Sequence, residues 1–90
     1  MTNREKAVDM FRDTILTIQN AIKVVGEAED TAEKRVKYYN ALGVIGYLRG
    51  IANAFYIADV ISWKELNTVL DTRLDLMFKL DDVYYNIERR

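Results

Sequence analysis

Residues 41–58 read ALGVIGYLRGIANAFYIA, and the fold follows from how that run can be covered. It contains no proline, is too long for an ordinary strand, and reads as the middle of a helix. Arg49 and Asn53 are its only strongly polar side chains. A helix this apolar around its circumference needs neighbours on more than one side.

Projected at the helical period, the run carries three stripes. One is small: Gly43, Gly46, Gly50 and Ala54, flanked by Tyr39 and Ile57. The second is aliphatic and aromatic: Ala41, Val44, Leu48, Ile51, Phe55 and Ala58. The third is a ridge made by Tyr38, Leu42, Ile45, Arg49, Ala52 and Tyr56. Two companion helices can bury only two stripes, so one is expected to remain for a partner.

Outward from this run, both flanks read as amphipathic helices. Thr2-Asn3-Arg4-Glu5 is a capping box, followed by Val8, Phe11, Ile15, Ile18, Ile22 and Val25 at alternating spacings of three and four. A row of small residues, Ala7, Thr14, Ala21 and Ala28, runs beside that seam, and Gly26 is read as the helix end. Asp30 with Glu33 can start the middle helix, which is expected to reach about Ala58. Ser62-Trp63-Lys64-Glu65 is a second capping box, and Ile61 with Leu66 forms a hydrophobic staple across it.

The third helix shows Trp63, Leu66, Leu70, Leu74, Met77, Leu80, Tyr84 and Ile87 on one side, closed by Arg89 and Arg90. Asp59 to Ile61 is then a tight turn. The expected architecture is all-α: an antiparallel up-down-up bundle of three long helices, one domain over residues 1–90, open to completion by dimerisation.

Composition closes several functions. No Cys and no His occur, which removes thiolate nucleophiles, His-based catalysis and the commonest transition-metal ligands. Thirteen Lys and Arg against fourteen Asp and Glu leave a net charge of -1, so no bulk field draws nucleic acid or anionic lipid. Asp71, Asp75 and Asp82 share a face of the third helix, but Lys79 follows Asp75 at an ion-pair spacing and no Glu-x-x-His accompanies them. No enzyme activity, cofactor, metal or small-molecule substrate is expected.

The polar start, Met1 to Lys6, lacks the apolar core of a secretory signal and reads as cytoplasmic. A membrane span over Tyr38 to Ile61 would be long enough and contains Gly46-x-x-x-Gly50. Arg49 at its centre and the amphipathic neighbours favour a soluble bundle instead.

Each glycine inside a helix costs about 0.8–1 kcal/mol relative to alanine, so the stripe at 43, 46 and 50 calls for a compensating contact. Close packing against the small row of the first helix is the preferred reading, and a groove for a partner helix or flat ligand is the alternative. The ridge is read as the docking surface, because Tyr and Arg are frequent binding hot spots, with a plain core role for part of it as the alternative. It implies a non-enzymatic interaction module, adaptor- or inhibitor-like, whose partner is another copy or a foreign protein.

The competing function is a nucleic-acid-associated regulator using Ile51 to Leu74 as a helix-turn-helix-like hairpin. Asp71 and Asp75 would repel phosphate there. That class would need Lys64, Arg73, Lys34, Arg35 and Lys37 to converge. Arg73 itself falls in the apolar sector of the third helix and is read as snorkelling, with Asp59, a first-helix carboxylate or an acidic group of a partner protein as its counter-charge if buried. The Ile61-Ser62-x-x-Glu65-Leu66 helix start is similar to that of small proteins of bacterial phages and mobile elements, a resemblance that transfers no functional residue.

Overall fold

Local capping sets where each helix begins. In the computed structural model, which describes residues 1–85, the Thr2 hydroxyl accepts the Glu5 amide at 3.1 Å. Glu5 in turn accepts the Thr2 amide at 3.2 Å, and α1 follows as Asn3–Glu27. The Asp30 carboxylate accepts the Glu33 amide at 2.8 Å and opens α2, Thr31–Ile57. Ser62 and Glu65 exchange the same reciprocal pair, at 3.1 and 3.0 Å, ahead of α3, Trp63–Tyr85. Ile61 and Leu66 are both buried in one cluster, which is the staple closed. The sequence readings at Ile87, Arg89 and Arg90 fall outside the described residues.

The turn into α3 has an αL cap without glycine. Asp59 sits at φ 63°, its amide donates to the Tyr56 carbonyl at 3.0 Å, and the Val60 amide donates to the Phe55 carbonyl at 2.9 Å. This is the Schellman pattern, and Val60 packs in the same cluster as Phe55, completing its apolar contact. A Cβ in that conformation is strained, although Asp tolerates it better than most residues. Asp59→Gly should therefore raise the unfolding free energy by about 0.5–1 kcal/mol. Urea denaturation measures it; an unchanged or lower midpoint would show that the aspartate side chain contributes more than its backbone costs.

Three contacts fix the direction of the helices. Phe11, early in α1, meets Phe55, late in α2, edge to face with centroids 5.7 Å apart. The Tyr38 hydroxyl, early in α2, donates to Asp81, late in α3, at 2.8 Å. Arg4 reaches Glu65 with a two-pronged salt bridge between the starts of α1 and α3. Every helix packs on both others in an up-down-up, all-α three-helix bundle.

The core is rotated from the sequence reading in two helices. In α1, Ile18, Ile22 and Val25 are buried as expected, but so are Ala7 and Thr14 from the small row, while Val8 is 52% exposed. The inward direction lies between the two rows, because α1 must face α2 and α3 together. In α3, Leu66 and Leu80 are buried, but Leu76 replaces Leu74 as a core residue and Trp63 is exposed. Val69 and Val83 pack beside Leu76. The buried edge of α3 thus lies about 50° around the helix from the row that periodicity favoured.

Candidate functional site

The ridge read as a docking surface faces inward over most of its length. Ile45 is 1% exposed and Ala52 is fully buried. Leu42 and Tyr38 pack on the same core cluster, and only Arg49 and Tyr56 are exposed. The core direction of α2 falls between the second and third stripes, so residues from both, Ala41 and Leu48 with Ile45 and Ala52, form its buried edge. The stripe left over is the first.

That corrects the role of the glycines. A Cβ built at Gly43, Gly46 or Gly50 meets no atom of another element within 4 Å, so these residues are not a packing seam against α1. Ala54 is exposed with them. The small residues of α1 turn into the core and never meet the glycine stripe. Gly26 is the glycine with a packing reason: its added Cβ would lie 3.2 Å from Val83 Cγ1. It sits in the last turn of α1, beside the chain exit at Glu27.

The outward side of α2 is an apolar strip with a flat middle. Val36 is 60%, Tyr39 63%, Tyr47 55% and Ile57 83% exposed. Between Tyr38 and Ile57 the sole charged residue is Arg49, which at 100° per residue projects about 120° away from Gly43. Soluble helices place charge on their solvent side. Here charge is excluded from it for most of the helix. Val36 and Tyr47 lie outside the three stripes, and the signals that mark them are the seven-residue spacing Val36, Gly43, Gly50, Ile57 and the place of Tyr47 four residues after Gly43 and three before Gly50.

Elsewhere the polar groups have structural roles. Tyr38 stacks on Tyr84 with centroids 4.0 Å apart, and partial burial followed by the Asp81 bond raises its phenol above the ordinary range. Arg4, then the Ser62 amide, hold the Glu65 carboxyl down to about 2. The resulting stabilisation is present above the ordinary carboxyl value and fades as pH falls toward 2. Arg73 lies on the core-facing side of α3, half-buried, with its Nε enclosed and without a hydrogen-bond partner. No ion pair joins it to Asp59 or to α1 among the described residues.

The basic residues that a DNA-binding face would need are split between the two ends of the bundle. Lys34, Arg35 and Lys37 lie at the start of α2, beside the end of α3, whereas Lys64 is at the opposite end, roughly 30 Å along α3. Lys37 is also paired with Glu33 at 2.8 Å. Among the described residues there is no group of acids suited to a metal ion, and no helix is long and apolar enough to cross a membrane.

Fold and surface together define a small three-helix bundle with one uncharged, glycine-lined helix face. Comparison with protein-family models, curated proteins and solved structures returns no match to this chain.

Proposed function

We propose that this protein is a small non-enzymatic interaction module, adaptor- or inhibitor-like, that docks another protein surface against the outward face of α2. The single observation that carries the reading is the set of exposed glycines at 43, 46 and 50, with open space where their Cβ atoms would be. Together they cost about 2.5–3 kcal/mol of helix propensity, which nothing in the isolated bundle offsets. A backbone approaching closely from outside would use that space. Exposed Tyr39 and Tyr47 supply contact area with a polar end, the type of side chain enriched at binding hot spots.

A photo-crosslinking amino acid at Tyr47 tests this in the cells that naturally make the protein. One discrete covalent adduct is expected, lost when Gly46→Arg is added, and none should form from Asp71 on the exposed side of α3. Equal labelling from both positions, or none from Tyr47, would remove the α2 face as the docking surface.

A further inference from the structure

Arg49 and Arg73 meet where the bundle supplies no counter-charge. The helices α2 and α3 run antiparallel along a seam marked at both ends by ring contacts: Tyr38 stacks on Tyr84 with centroids 4.0 Å apart, and Tyr56 lies against Trp63 at 5.8 Å. Arg49 follows Tyr38 by eleven residues, and Arg73 precedes Tyr84 by eleven. Eleven residues are about three helical turns, a rise of about 16 Å that returns to within roughly 20° of the starting face. Both arginines therefore occupy the seam at one level, between the two ring pairs.

Like charges on facing positions repel unless an anion lies between them. Three and four residues from Arg49 stand Ile45, Gly46, Ala52 and Asn53, and around Arg73 stand Val69, Leu70, Leu76 and Met77, so neither helix offers a carboxylate within a turn. Asp71 and Asp75 flank Arg73 at two residues' distance and project to the opposite side of α3. Asp81, about two turns on, accepts the Tyr38 hydroxyl. Among the described residues no carboxylate forms an ion pair with either arginine. Arg73 is half-buried with its Nε enclosed and short of an acceptor, so its stem is held in place while its charge stays uncompensated.

The surroundings indicate which anion fits. Leu74 is 44% and Phe78 59% exposed on the α3 bank of the seam, near exposed Tyr56 and Trp63. Resting on the interaction reading above, we propose that the docked partner is a protein segment carrying an Asp or Glu among apolar side chains, whose carboxylate is bound between Arg49 and Arg73. Guanidinium groups hold a carboxylate by charge-assisted hydrogen bonds, and flanking apolar groups strengthen these by excluding water. Nucleic acid calls for a longer run of cations than this pair. A second copy presenting the same seam would bring two more arginines. Gly46 lies three residues before Arg49, about 60° around α2, so one partner can cover the glycine face and the seam together.

A photo-crosslinking amino acid at Leu74, in the cells that naturally make the protein, tests the assignment when the attachment site is mapped by peptide mass spectrometry. The expected adduct contains the protein captured from Tyr47, attached within about two helical turns, ~11 Å, of an Asp or Glu. Arg49→Glu should cut its yield about tenfold or more, and reversing the mapped acid to Arg in the partner should restore it. The purified Arg49→Glu chain should melt within about 4 °C of wild type, so unfolding does not account for the loss. Arg73→Met keeps the apolar stem and removes the charge; it should lower the yield as strongly while leaving the midpoint of the free chain equal or higher.

No adduct from Leu74, an attachment site remote from any carboxylate, a nucleic-acid adduct or one of twice the chain's mass would overturn the assignment. So would a yield that neither arginine change alters. The interaction reading fails separately: a Tyr47 adduct that persists undiminished in Arg49→Glu and Arg73→Met keeps the α2 face as a docking surface and removes the arginine pair from it.

Discussion

Ile45→Ala is expected to lower the unfolding free energy by about 3 kcal/mol, within the 2–5 kcal/mol range for truncating a buried aliphatic side chain. Ile45 is 1% exposed and belongs to the cluster that holds Ile18, Leu48 and Leu80 together. Removing it loses both transfer energy and packing contacts, because helices held from three sides relax only partly into the space. A domain of this size has a total stability of roughly 5–13 kcal/mol, so this one change removes a large fraction of it. Arg49→Glu, four residues on and exposed, should shift stability by less than about 0.5 kcal/mol. Urea denaturation of the pair measures both. A loss below about 1 kcal/mol at Ile45 would mean that α2 does not present this edge to the core.

The contrast between Ile45 and Arg49 marks where sequence reasoning reached its limit. Helix starts were legible because capping is local: Thr2 with Glu5, Asp30 with Glu33, and Ser62 with Glu65 each involve residues three apart, and all three form. The all-α three-helix architecture followed from them and from the absence of proline. The rotation of α2 was not legible. Its middle is apolar on nearly every side, so periodicity does not single out an inward direction, and the reading assigned the glycines to the interior on the assumption that their contact lies within the chain.

Long-range polar pairs left no local trace either. Arg4 and Glu65 are 61 residues apart, and Tyr38 and Asp81 are 43 apart. Glu65 was readable as a capping residue, and Arg4 then uses the same carboxylate to hold α1 against α3. The ridge reading failed for a related reason. Tyr and Arg are enriched both at interfaces and at the margins of cores, where an apolar stem is covered and a polar end reaches out. Tyr38 does the latter, with its ring on Tyr84 and its hydroxyl on Asp81.

Replacing all three outward glycines, Gly43→Ala, Gly46→Ala and Gly50→Ala together, should stabilise the folded monomer by about 2–3 kcal/mol. Each alanine restricts the unfolded chain and meets no neighbouring element in the folded one, so strain does not offset the gain. The gains should add approximately, because each comes from the alanine's own helix propensity and not from a shared partner in another element. For a domain of this size, 1 kcal/mol moves the midpoint by roughly 4–8 °C, so the triple variant should melt about 10–20 °C higher. Calorimetry of the triple variant beside the wild type measures the shift. A midpoint that falls would mean that the space above the glycines is already filled within one chain. A midpoint that rises while the Tyr47 adduct disappears would show stability and docking drawing on the same residues in opposite directions, since a Cβ that strengthens the helix also holds a docked backbone away.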